Sequence, residues 1–186
     1  RADTLCASVD LVGISTVQLQ YNLLMRHIED EFRDVLDMVG CELVAWGPLA
    51  DGLLSGKYQI DARQRRLVGG GRLEAAWHTT SSADPFDDQV ITTVSLLQDI
   101  QQETGHPAAQ IALSWLLRRP RLSSVVVGVT SVAQLEQNIA AMSLDLDPAI
   151  YARLDAASRI QPNYPLNFLE PEVQVLVHGP NGVRNA

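Results

Sequence analysis

The stretch VVVGVTSVAQLEQN, residues 125–138, decides how this chain folds. It opens as a run of valines, breaks at Gly128, and resumes at Ser131 with a helical pattern. β-Branched residues pack well on a pleated surface, so LSSVVVGVT predicts an apolar strand. Ser131 and Gln134 stand at the spacing of a capping box, so a helix begins there. Gly128 lets backbone approach closely, and the first N–H groups of the following helix make a place for an anion. In a (β/α)8 barrel, phosphate sites commonly follow the seventh and eighth strands. An ordinary turn with a good cap fits the same spacing.

Upstream, VQLQYNL (17–23) alternates Val17, Leu19 and Tyr21 with Gln18, Gln20 and Asn22, the period of a strand. IEDEFRDVLDMVG (28–40) carries Ile28, Phe32, Val35, Leu36 and Val39 at helical spacing and ends on a capping glycine, which predicts a helix of about three turns. CELVAWGPL (41–49) is a short apolar run ended by Gly-Pro, a strand that feeds a loop. Residues 51–85 then form a long connection containing VGGGR and the arginines 63, 65, 66 and 72. Connections of that length are usually functional lids or disordered segments. Two helices follow, over 84–105 and 106–120, and DPAIYARLDAAS (147–158) is another; the tail from Ile160, rich in Pro, Asn and Gly, is expected to be irregular. The βα alternation predicts a parallel sheet. Three strands leave edges unpaired and faces half covered, so the pattern is that of part of a larger object.

Several side chains in this pattern could carry chemistry. Trp46, at a strand end, offers a flat face for a planar ring, or is simply a core indole. Lys57 offers a point charge to a phosphate. Gln18 and Asn22 could hydrogen-bond an amide or form a satisfied polar layer, and Gln137 with Asn138 could meet a base edge or water.

At 186 residues and 46% apolar the chain can bury a sizeable core. Its formal charge of -8, with acids and bases interspersed, excludes a basic stripe for nucleic acid. No run of about 18 apolar residues predicts a membrane span, and RADTLCASVDLVG lacks the order of a signal peptide, so a soluble, cytoplasmic protein is expected. Cys6 and Cys41 are expected to be small buried hydrophobes, and the four histidines lack metal-ligand spacing.

VQLQYNLLMR (17–26), AWGPLADGLLSGKY (45–58), AAQIALSWLLRRPRLSSVVVGVTSVAQLEQNIAAM (108–142) and YARLDAAS (151–158) together resemble, in order, consecutive motifs of the aldo-keto reductase family. The resemblance is nearest to the branch that holds bacterial oxidoreductases and potassium channel β subunits. It implies an α/β fold, a (β/α)8 TIM barrel of which this chain covers roughly the last three βα units, with 1–186 the C-terminal part of one domain. It also implies NADP(H), less often NAD(H), and reduction of a small-molecule aldehyde, ketone or keto-sugar. Gln18 matches the residue that holds the nicotinamide carboxamide, and Trp46 the aromatic that stacks on the ring. Gly47, Pro48, Leu49 and Ala50 match the run around the pyrophosphate and Lys57 a phosphate-contacting lysine. Gly128, Thr130 and Gln134 match the segment around the adenosine phosphate, and Gln137 and Asn138 the pair beside adenine. One of Arg63, Arg65 or Arg66 is a candidate for the 2′-phosphate.

Two departures stand out. Gly47 replaces a serine that many relatives carry, and nothing in the chain matches the family's catalytic Asp, Tyr, Lys and His. A missing N-terminal half, or a complementing chain, is therefore expected to supply them. A noncatalytic cofactor-binding subunit, or a truncated homologue, is the alternative.

Overall fold

The computed structural model describes residues 13–61, 63–69, 73–74, 84–160, 166–169 and 171–178. Three strands, β1 (Thr16–Gln20), β2 (Glu42–Trp46) and β5 (Leu122–Val126), form a parallel sheet in the order β1-β2-β5. β1 and β2 are joined through α1 (Ile28–Glu31) and α2 (Arg33–Val39); α3 (Asp88–Thr104) and α4 (Ala108–Leu117) lead into β5; α5 (Val132–Ala140) and α6 (Pro148–Ala157) follow.

Side-chain alternation gives the sheet two unlike faces. Tyr21, Leu43 and Ala45 are buried and Val17, Leu19, Leu122 and Val125 pack against the core, all on the face the helices cover. On the other face Thr16, Gln18, Glu42, Trp46, Ser124 and Val126 are exposed. Across that face the register aligns Gln18 with Val44 and Ser124, and Gln20 with Trp46 and Val126. One extra residue, Ser123, shifts the β2–β5 register, and its hydroxyl donates to the Leu43 carbonyl at 3.1 Å.

The caps follow the sequence. Asp87 accepts from Gln89 and Val90 N–H to start α3, Asp147 from Ala149 to start α6, and Gly40 and Gly105 close α2 and α3 in the left-handed region. Three expectations need correction. The helix over 28–40 is two pieces that meet at Phe32, whose φ of -119° is stretched within the right-handed helical region. The connection after Asp51 is not bare loop: it holds a 3-10 turn (Ala50–Ser55) and an antiparallel hairpin of β3 (Gln59–Asp61) and β4 (Arg66–Val68). The hairpin forms because Leu67 is buried while its neighbours face out. In the tail, α7 (Pro171–His178) interrupts the irregular stretch, with a proline at its first position where the missing N–H does no harm. Cys6, His78, Arg72 and the glycines at 70 and 71 lie outside the described residues. Cys41 is buried, and its Sγ donates to the Ile14 carbonyl at 2.7 Å.

A buried ion network fastens β1 to the helices. Arg26 is only 9% exposed, and its guanidinium donates to both Glu29 carboxylate oxygens (2.7 and 2.8 Å), to Ser158 Oγ (2.7 Å) and to the Asp155 carbonyl (3.0 Å). Tyr21 OH donates to Glu29 Oε1 at 2.7 Å, and Trp115 Nε1 to Asp155 Oδ1 at 3.0 Å. Arg119 pairs with Asp155 at 2.9 Å and lies over the Trp115 ring.

Removing one member of a buried ion pair leaves a charge without compensation, at about 3–5 kcal/mol. Because the Asp155 side chain is 38% exposed, Arg26→Met is expected near the lower end, about 3 kcal/mol by chemical denaturation. Burial, reinforced by the bond to Glu29 and that carboxylate's charge, holds the Tyr21 phenol well above its ordinary value of 10.0. A raised pKa contributes stability that is complete below pH 10 and lost as pH rises above it. Denaturation curves should therefore fall with a slope approaching ~1.4 kcal/mol per pH unit in that range, and Tyr21→Phe should remove this component.

Candidate functional site

Parallel strands present their C-terminal ends, and the loops after them, on one rim. Trp46 ends β2 there and is 43% exposed, on the sheet face that none of the described helices covers. The core-indole alternative does not hold. Val126 is its partner on β5, two residues before Gly128, and Gln18 is exposed one rung below on β1. Indole, amide and glycine loop therefore share one surface.

Asn22 has a different role from the one its position suggested. It is fully buried, its Nδ2 donates to the Gly47 carbonyl at 2.8 Å, and its Oδ1 accepts from Leu24 N–H at 2.8 Å. Both polar ends are used to clamp β1's exit to the loop after Trp46. That loop turns at Gly47 with φ +62°. Pro48 and Ala50 are buried and Leu49 partly so, which anchors the turn against the core. Ala50 (φ 47°) and Asp51 (φ 56°) both adopt the left-handed region that side chains other than glycine's resist. Such strain, of order 1 kcal/mol or more per residue, collects at ligand clamps. Lys57, the only lysine in the chain, is exposed, with Nζ 4.8 Å from the Tyr58 ring centroid.

At the start of α5, Ser131 Oγ accepts from Gln134 N–H at 3.3 Å, as the capping spacing requires. The Gln134 side chain reaches one residue further back than a capping box does: Oε1 accepts from Thr130 N–H (2.8 Å) and Thr130 Oγ1 (3.0 Å). Gln137 is exposed and Asn138 half-buried on the same helix. Residues 122–143 contain no lysine or arginine, so a phosphate at this rim must find its cation elsewhere. Among the hairpin arginines, Arg65 is engaged by Asp84 (3.1 Å) and the Phe86 ring, Arg66 stands opposite Asp61, and Arg63 is exposed.

Tyr21, Tyr58 and Tyr151 are all buried and hydrogen-bonded, so none is placed as an acid at the open face. Tyr164 lies outside the described residues. A cavity of about 70 Å³ lined by Tyr21, Leu36, Leu43 and Pro120 is on the helix side, away from Trp46, and holds little more than water. Sequence reasoning passed over Gly52 and Tyr58; the Asp51-Gly52 pair, a turn signal, was the available clue.

The sequence model of the Aldo/keto reductase family matches residues 5–159. The chain belongs to the aldo/keto reductase family. It is 31% identical over 163 residues to a probable voltage-gated potassium channel subunit beta of Arabidopsis thaliana, covering 86% of this chain and 48% of the relative. It is 33% identical over 129 residues to L-glyceraldehyde 3-phosphate reductase of Escherichia coli (68% of this chain, 36% of the relative). It is 31% identical over 153 residues to Protein tas of Escherichia coli (81% and 42%). The chain thus spans about half, or less, of the length of these relatives. Membership makes it an oxidoreductase-family chain; the family's fold is a (β/α)8 barrel, and the described residues form an α/β structure with a parallel sheet.

Glycine at position 47 has a backbone reason. A Cβ there would sit 3.5 Å from Gln20 Nε2, ordinary contact, so the obstacle is the +62° backbone rather than space. Gly47→Ser is therefore expected to lower stability by about 1 kcal/mol in thermal or chemical unfolding, with no change in secondary structure by circular dichroism.

Proposed function

We propose that this chain is the dinucleotide-holding part of a nicotinamide-dependent carbonyl reductase, with NADP(H), the family's general coenzyme, or NAD(H) bound along the rim. The observation that carries this reading is the exposed indole of Trp46 on the uncovered sheet face, across the ladder from the strand that leads into Gly128. The residues fit the group. Trp46 presents a ring face for stacking and Gln18 an amide, and the glycine turn at 47 follows directly on the indole. A Cβ on Gly128 would meet nothing within 4 Å among the described residues, so the fold itself gives no reason for glycine there. That supports a backbone kept clear for a ligand. Gln137 and Asn138 extend the surface towards an adenine.

When bound, the nicotinamide supplies hydride to a carbonyl carbon. The part played by this chain is to stack, orient and anchor; among the described residues no tyrosine stands at the open face to donate a proton. Among the described residues the outer edges of β1 and β5 have no strand partner and the face between them is exposed, which calls for further parallel strands. In this reading a polypeptide supplying them, an N-terminal half or a complementing chain, also brings the acid and closes the barrel over an aldehyde or ketone. A noncatalytic cofactor-binding subunit is the second reading, favoured by the buried, committed state of the described tyrosines.

Titration of the protein with NADPH and NADH, read by tryptophan fluorescence, tests the site; coenzyme oxidation against a panel of aldehydes separates the two readings. Trp46→Ala is expected to weaken binding about tenfold, equivalent to about 1.4 kcal/mol, without loss of fold, because the indole is not part of the core. Gly128→Ala is expected to leave stability within about 0.5 kcal/mol while still weakening binding. Unchanged affinity in both variants would refute the site.

A further inference from the structure

We infer that Gly52 is a positioning residue for Lys57, and that the bare Cα of Gly52 together with the ring of Tyr58 forms a seat that fixes the chain's single ammonium group beside the rim. The inference rests on the dinucleotide reading above for what the ammonium meets, but the seat itself stands on geometry. A Cβ built on Gly52 would lie 3.1 Å from Lys57 Cε and 3.2 Å from Nζ, tighter than most real contacts, and 3.5 Å from Tyr58 Cε2. On its other side the ammonium lies over the Tyr58 ring, 4.8 Å from the centroid.

Both walls of the seat are rigid. Tyr58 is fully buried, its OH accepts from Leu73 N–H at 3.1 Å, and its carbonyl accepts from Gln98 Nε2 at 3.2 Å. Gly52 is locked at φ +101° in the strained turn: its N–H donates to the Leu49 carbonyl at 2.9 Å and its own carbonyl accepts from Ser55 Oγ at 2.7 Å. Leu49 belongs to the run that follows Trp46, so the seat and the candidate pyrophosphate backbone are parts of one turn. A lysine stem has several free rotors, and a flexible charge delivers less of its attraction to a ligand than one already in place. Since residues 122–143 supply no cation, the fixed position of Lys57 matters to any anion at this rim.

The single lysine makes the test clean. With lysine-selective isotope labelling, the one ε-methylene signal of the ligand-free protein is expected upfield of its random-coil position, shielded by the Tyr58 ring, and Gly52→Ala is expected to return it there. NADPH and NADH binding should weaken about tenfold in both Gly52→Ala and Lys57→Met, with a flatter salt dependence, and the double variant should bind no worse than Lys57→Met alone. Gly105→Ala is the control for backbone strain: its φ is +72° with nothing within 4 Å, so it should lose stability and keep its affinity. An unshifted lysine signal in the parent protein, parental affinity in Gly52→Ala, or additive losses in the double variant would each overturn the assignment. A shielded signal in a protein that binds neither dinucleotide would leave the seat without its ligand and sink the dinucleotide reading on which the assignment rests.

Discussion

The guanidinium of Arg26 joins parts of the chain that are more than a hundred residues apart. Its partners are Glu29 on α1 and Asp155 and Ser158 at the end of α6, and Asp155 in turn receives Trp115 and Arg119 from α4. A three-stranded sheet covered on one side has few other ways to hold its first strand. Among the described residues β1 pairs only with β2. The apolar contacts of Val17 and Leu19 are partial. An ion network desolvated on the helix side, in which each charge meets an opposite charge or a hydrogen bond, fixes where β1 ends, and so where Asn22 can reach the Gly47 carbonyl. The position of Trp46 and its loop is thus set from behind the sheet, by side chains that never face the rim.

This separation of duties explains why the rim tolerates strain. Ala50 and Asp51 are held in the left-handed region because Leu53 and Leu54, both buried, anchor the turn from below while the Gly47 and Leu49 carbonyls are taken up by Asn22, Ala50, Gly52 and Leu54. A turn fixed at so many points keeps a shape that its own residues would not choose.

Much of the fold was legible in the chain because its local signals are strong. The alternation over residues 17–22, the caps at Asp87, Ser131 and Asp147, and the closing glycines at 40 and 105 each have one structural meaning. What escaped depended on tertiary context. The break at Phe32 falls inside an unbroken helical period, and the hairpin of β3 and β4 is only three residues per strand, too short for a pattern. α7 was hidden by the prolines and glycines on either side of it. For the site, the identity of the rim residues was visible, but which face of β2 the indole takes was not, since strands of parallel sheets are apolar throughout and sequence alone does not say which side a helix will cover. Asn22 shows the same limit: a polar residue on an alternating strand can serve a ligand or a neighbouring carbonyl, and only the position of Gly47 decides.

The charge pattern makes the rim's chemistry sharper than its composition suggests. A chain of formal charge -8 repels anions at a distance, so an anionic ligand must be attracted locally. Most described arginines are already committed to carboxylates: Arg26 to Glu29, Arg65 to Asp84, Arg118 to Asp145, Arg119 to Asp155, Arg121 to Asp37 and Arg153 to Glu103. Bidentate, planar guanidinium groups suit that structural work, whereas an ammonium on a flexible stem is the better visitor to a phosphate oxygen, provided something holds it in reach. In the proposed dinucleotide reading, thirteen arginines and one lysine, the latter resting on an aromatic ring beside a strained turn, divide the labour between cations that build the fold and the one ammonium offered to a ligand.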